Sequence, residues 1–210
     1  MIHTTGWPRA SALILAVALL APVARADDPA PTRLIDRLHA DLLGVMQEAE
    51  ALGFKGRYER LAPLLNECFD LPFMAEKSVG RYWRTASEED RARLLETFRR
   101  FIVSNYAGRF TGYSGQRFET LGDEPALRDT VLVRSRIVDP VEEPIDLDYR
   151  LRRVNGSWKI IDVYLNGTVS ELALRRSEYS TLIQREGIGG LLAALDAKIA
   201  DLASGSADES

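Results

Sequence analysis

The chain has 210 residues, 46% of them hydrophobic, and a formal net charge of −4. That length is enough to bury a core within one domain, and the mildly acidic mix of charges excludes a nucleic-acid binder. Two histidines and one cysteine leave no material for a multi-histidine metal site or an internal disulfide.

The first residues read as an export signal. Arg9 gives a short basic region, Ala10 to Ala21 an apolar one, and Ala24-Arg25-Ala26 an A-x-A cleavage site. The apolar stretch is too short to span a bilayer, and the absence of a nearby cysteine argues against a lipoprotein anchor. Residues 1–26 are therefore expected to be removed, and the mature chain to be soluble and exported, to the periplasm in a Gram-negative bacterium. Without Arg9 and Arg25 the balance is 25 basic to 31 acidic residues. His3 leaves with the signal, so His39 is the one imidazole of the mature chain, expected half-exposed on a helix. A single domain is expected over 27–203, with 204–210 a disordered tail.

Helices fill the first half. Leu34, Leu38, Leu42, Val45 and Met46 form one apolar stripe, and the stretch from Gly53 to Gly56 breaks that helix. "RYERLAPLLNECF" and "LPFMAEKSVGRYW" read as a second and a third helix, with Cys68 a buried small hydrophobe. Ser87 followed by Asp90 is an N-cap signature. A long helix then runs to about Arg109, carrying Leu95, Phe98, Ile102, Tyr106 and Phe110 at three- and four-residue spacing.

Four strands follow: "QRFETLG", "TVLVRSRIVD", "PIDLDYRLRRV" and "SWKIIDVYL". The third alternates strictly, which predicts an antiparallel sheet with one wet face. Its register with the second is set by two matches at once. Arg136 faces Asp146 and Arg134 faces Asp148, while Ile137, Val133 and Val131 face Ile145, Tyr149 and Leu151. Such pairs contribute about 0.2–1 kcal/mol each, and a one-residue slip loses them all. Asp146 and Asp148 look like a paired-carboxylate site, but the facing arginines make them a solvated, salt-bridged face. Asn155-Gly156 is a hairpin turn. A two-residue loop would put Ile160, Asp162 and Tyr164 on the apolar face. A three-residue loop with a bulge would put Ile161, Val163 and Leu165 there, and is expected because it buries no aspartate. Beyond Asn166-Gly167-Thr168, a Thr168–Glu171 capping box starts a helix that Gly187 to Gly190 breaks before a last amphipathic segment.

No Walker loop, dinucleotide glycine pattern, G-x-S-x-G or H-E-x-x-H occurs. No catalytic residue, metal or cofactor is expected. Arg99-Arg100 and Arg175-Arg176 read as solvated helix faces, with a site for an anionic headgroup as the alternative. What the chain has in excess is apolar bulk that should converge between helices and sheet. The helices bring Phe73, Met74, Tyr82 and Trp83, then Phe98, Phe101, Ile102, Tyr106 and Phe110. The sheet brings Val131, Val133, Ile145, Leu147, Tyr149 and Leu151, with Val163 and Leu165. These are the candidate lining of a ligand pocket. The fold class is α+β, helices packed around one bent antiparallel four-stranded sheet.

"VGRYWRTASEEDRARLLETFRRFIVSNYAGRF" and "WKIIDVYLNGTVSELALRRSEYSTLIQREGIGGLLAAL" resemble the MlaC family of periplasmic lipid-binding proteins, also called toluene-tolerance proteins. "NYAGRFTGYSGQRF", "FDLPFMA" and "RRSEY" are most similar to its HpnM branch, associated with hopanoids. The resemblance implies a cystatin- or NTF2-like fold with an apolar cavity for lipid tails. It implies a carrier of hopanoids, or alternatively of phospholipids in an Mla-type ABC system. It also implies an inner-membrane lipid transporter, of RND or ABC type, and an outer-membrane acceptor as partners. Two other classes stay open: an NTF2-like enzyme using Asp162 as a pocket base, and an adaptor or chaperone with a filled core.

Overall fold

The computed structural model describes Met1 and residues 30–205. Residues 2–26 of the expected signal segment and all but the start of the 204–210 tail lie outside the described residues. Helices come first: α1 (Pro31–Gln47), α2 (Ala49–Cys68), α3 (Leu71–Val79), α4 (Tyr82–Thr85) and α5 (Glu88–Arg109). The sheet follows as β1 (Arg117–Ala126), β2 (Thr130–Val138), β3 (Ile145–Val154), β4 (Ser157–Leu165) and β5 (Val169–Ser170), and α6 (Glu171–Ser204) closes the chain. No described helix is long and apolar enough to cross a membrane.

The helix breaks fall at glycines whose backbone no other residue adopts easily. The first helix ends at Gln47, before the expected break, and Gly53, at φ +57°, instead interrupts α2, as Gly187, at φ +71°, interrupts α6. Ser87 caps α5 by accepting from the Asp90 amide at 3.0 Å. Ile35, Leu38 and Leu42 of α1, Leu61 and Leu65 of α2, and Phe98 of α5 are fully buried against Val133, Tyr149, Leu151 and Ile160 of the sheet. Arg57 ties two helices at the edge of this core, donating to the carbonyls of Ala107 at 2.8 Å and Ala49 at 2.9 Å.

The sheet is antiparallel in the order β1-β2-β3-β4-β5, one strand more than expected. The extra strand has two residues, Val169 pairing Leu165 and Ser170 pairing Tyr164. The β2–β3 register is the expected one: Val131 with Leu151, Val133 with Tyr149, Arg136 with Asp146 and Ile137 with Ile145. Its face is not uniformly wet. Asp146 is exposed but Asp148 is only 3% exposed. Asp148 accepts from Arg134 at 2.7 Å and from the Ser135 amide at 3.1 Å, so its carboxylate stands in for a ladder bond. Arg136 turns instead to Glu119, at 2.7 Å.

The β3–β4 hairpin corrects the expected three-residue loop. Val154 pairs Ser157 across the two-residue turn Asn155-Gly156, which takes positive φ at both positions. The bulge comes later: Leu151 pairs Ile160 and Arg150 pairs Asp162, leaving Ile161 unmatched. Ile160 therefore faces the core on one side of the bulge, with Val163 and Leu165 on the other. The joint between α2 and α3 docks beside it, where the Asp70 amide donates to the Ile160 carbonyl at 2.8 Å.

Asp162 is buried all the same, on the face opposite Val163. It accepts from the Ser170 hydroxyl at 2.6 Å and the Leu172 amide at 3.0 Å, anchoring the first turn of α6. Ser170, not Thr168, is the N-cap, accepting from Ala173. Asn166 and Gly167, both at positive φ, turn β4 into β5.

Candidate functional site

The apolar side chains converge on a cleft between α5 and the far ends of β3 and β4. Ile102, Asn105, Tyr106 and Arg109 come from α5 and Phe110 from its C-cap. Phe69 and Met74 come from the α2–α3 joint and α3. Leu147, Val163 and Leu165 are the sheet wall, and Glu171 and Arg175 of α6 form the lip. Helical spacing explains the α5 set, since Ile102, Tyr106 and Phe110 recur every four residues along one face. The rings are in contact, Phe69 edge-on to Tyr106 at 5.8 Å and Tyr106 tilted to Phe110 at 5.7 Å. Burial pushes the Tyr106 hydroxyl well above its ordinary range, so it stays protonated.

The lip is ionic. Arg175 holds Glu171 at 3.1 Å one turn away, with side chains only 13% and 17% exposed. Its guanidinium also lies over the Phe101 ring, 5.1 Å from the centroid. The expected solvated face is corrected for Arg175, while Arg176 beside it is exposed. Arg100 reaches α6 through Asp196 at 3.1 Å.

Of the expected lining, Met74, Ile102, Tyr106, Phe110, Leu147, Val163 and Leu165 meet at the cleft. Phe98, Val133, Tyr149 and Leu151 are fully buried in the core, and Phe101 lies just under the lip. Phe73 faces a different cleft, with Arg152 stacked on its ring at 4.1 Å. Tyr82 and Trp83 are half-buried on α4, against Arg81 and Arg91 respectively. Val131 is half-buried on β2 and Ile145 is 44% exposed at the start of β3. Phe69, Asn105, Arg109, Glu171 and Arg175 were not anticipated. Asn105 and Arg109 share the four-residue spacing of α5, and Glu171–Arg175 is an i,i+4 pair that periodicity could have marked.

The cleft volume is about 70 Å³, well under the roughly 300–1,000 Å³ of ligand pockets. The expected lipid-sized cavity is not open between α5 and the sheet. His39, expected half-exposed, is 4% exposed, stacked on Phe118 at 4.4 Å and hydrogen-bonded to Tyr149. Among the described residues, no group of three or more His, Cys, Asp or Glu side chains could hold a metal ion. The enzyme reading needed Asp162 in this cleft, and Asp162 is on the other face of β4 with both oxygens engaged.

A helix-rich first half folded onto a five-stranded antiparallel sheet, with an apolar cleft under the long helix, defines an α+β fold. Residues 36–197 match the family described as MlaC protein, and the chain belongs to that family. The intermembrane phospholipid transport system binding protein MlaC of Haemophilus influenzae is 29% identical over 138 residues, 63% of this chain. The chain matches 61% of that curated relative's length. The phospholipid-binding protein from Ralstonia solanacearum, solved in complex with a phospholipid, shares the fold at a TM-score of 0.71. It is 23% identical, and the match covers 81% of this chain and 97% of that one.

Proposed function

We propose that the chain is a lipid-binding carrier that moves lipid between membranes of the cell envelope, working in the periplasm after loss of residues 1–26. The observation that carries this reading is the ring-lined cleft beneath α5, in a chain whose fold is shared by a protein solved with a phospholipid bound. Phospholipid is the best-supported cargo class, and membership of the MlaC family supports it. The proposed partners are an inner-membrane lipid transporter, of ABC or RND type, and an outer-membrane acceptor.

The free-energy argument for a carrier is simple. Each CH₂ exposed to water costs about 0.8 kcal/mol, so a skeleton of about thirty carbons costs on the order of 20 kcal/mol. A cleft that opens around such a ligand removes that barrier without making or breaking a bond. The cleft is closed here, and opening requires its walls to part. The first half of α6 is the candidate wall, bracketed by Gly167 and Gly187, both at positive φ.

Hopanoid is the second cargo reading. The three segments that resemble the HpnM branch supply Phe69, Met74, Asn105, Tyr106, Arg109, Phe110 and Arg175, all on the cleft. A filled-core adaptor is the rival of another class, favoured by the small cleft volume. Native extraction and mass spectrometry of protein purified from a hopanoid-producing host separates the three. Phospholipid in the extract supports the first reading and hopanoid the second. An extract without lipid overturns both in favour of the adaptor.

A further inference from the structure

A second cleft, independent of the carrier reading, lies on the other face of β3 and β4. It measures about 620 Å³, within the range of small-ligand sites. The β1–β2 turn, α3 and the first turns of α6 form its walls. Five cationic side chains line it, Lys77, Arg128, Arg150, Arg152 and Arg176, against one acid, Asp162. Asp162 accepts from the Ser170 hydroxyl and the Leu172 amide, both neutral, and leaves the cleft with an excess of positive charge. Lys77 pairs with Glu76, and Arg152 with Asp70.

The other three cations form no close ion pair among the described residues. Arg150 donates only to hydroxyls, to Thr130 at 3.0 Å and Tyr164 at 3.4 Å. Among the described residues, no carboxylate forms an ion pair with Arg128, Arg150 or Arg176. These three come from a turn, a strand and a helix, so the fold collects them at one cleft against their mutual repulsion. Arg128 is held there at φ +61°, followed by Asp129 at φ +54°. Positive φ at two successive positions is the ordinary geometry of a tight hairpin turn, so the β1–β2 turn fixes where Arg128 sits. Phe73, Leu127 and Ile161 add an apolar part to the same cleft.

Planar guanidinium forks match the oxygens of a phosphate, and a concave site of this size suits a small group better than a flat protein surface. We propose that this cleft is a second ligand site, for a phosphate ester carrying an apolar substituent. The ester is either the headgroup of a lipid in a bilayer or a water-soluble molecule.

The test uses the mature chain, the exposed-residue double variant Arg128→Gln/Arg176→Gln, and Arg150→Gln. Dihexanoyl phosphatidylglycerol as a monomer and inorganic phosphate are titrated by NMR. Flotation is measured with vesicles of phosphatidylglycerol and phosphatidylcholine. The expected result is saturable binding of the soluble ester that weakens at least about tenfold in the double variant, the loss of one charge-assisted contact. Lipid recovered on purification stays unchanged in that variant, and Leu165→Trp, in the first cleft, leaves the inorganic phosphate titration unchanged. Arginine-dependent flotation identifies the bilayer as the source, and titration without flotation identifies a soluble ester. Equal binding by wild type and both arginine variants overturns the proposal. So does the absence of binding to every phosphate probe, including when a polyglutamate peptide binds in their place.

Discussion

His39 Nε2 and the Tyr149 hydroxyl share a hydrogen bond of 3.1 Å where α1 crosses the sheet, and both residues are buried. Burial lowers the His39 pKa from 6.5 to about 4, against a smaller opposing effect of Asp36. Between those values the unfolded chain holds a proton on His39 that the folded chain does not. Stability therefore rises with pH through this window, is complete above about 6.5, and is lost as pH falls toward 4. The loss attributable to His39 is roughly 3 kcal/mol. Urea unfolding from pH 4 to 8 measures it. His39→Phe is expected to be less stable at neutral pH, because the Tyr149 hydroxyl loses its partner, and to show a shallower acid slope. An unchanged slope would show that His39 is not the group responsible.

Asp146 and Asp148 are two residues apart on one strand and predict opposite outcomes. Asp148→Ala leaves the Ser135 amide without its acceptor and Arg134 with only Glu124. It is expected to cost about 2–3 kcal/mol, reduced from a fully buried pair because Arg134 is 44% exposed. Asp146→Ala, exposed and without a side-chain bond to Arg136, is expected to stay within about 0.5 kcal/mol. Chemical denaturation of the two variants side by side decides this. Equal costs would contradict the role of Asp148 in the ladder.

Asp162 acts as an anchor for α6. Asp162→Ala is expected to cost about 1–3 kcal/mol, and amide exchange at Leu172 and Ala173 should accelerate relative to the core helices. Hydrogen exchange read by NMR checks it.

The β2–β3 register was legible because charge and apolar matches agreed on two faces at once, Arg136 with Asp146 and Val133 with Tyr149. The β3–β4 register was not, because both candidate solutions hold in part. The turn is two residues, and the bulge that moves Val163 to the core face sits at Ile161, beside the docked Asp70. No local pattern in "SWKIIDVYL" marks that contact. His39 failed for the same reason. Its burial depends on Phe118 and Tyr149, about eighty and one hundred and ten residues away. At the cleft, helical periodicity found Ile102, Tyr106 and Phe110. It could not separate cleft from core for Phe98 or Tyr149, because both kinds of position are apolar at the same spacing.

Leu165 gives the most direct test of the first cleft. It is half-buried, lines the void, and ends its strand, so a larger side chain there meets empty space before it meets the core. Leu165→Trp is expected to change stability by less than about 1.5 kcal/mol while occupying the space a lipid chain needs to enter. Excluding a ligand by about 1–3 kcal/mol of overpacking lowers affinity about 5- to 150-fold. Lipid recovered per mole of folded protein, measured by mass spectrometry against wild type from the same host, should fall accordingly. The matching control is Leu202→Trp, half-buried against Gly108 near the same end of α5 but outside the lining of the first cleft, where lipid recovery should hold. Loss in both variants would point to folding rather than the cleft, and undiminished lipid in Leu165→Trp would place the ligand elsewhere.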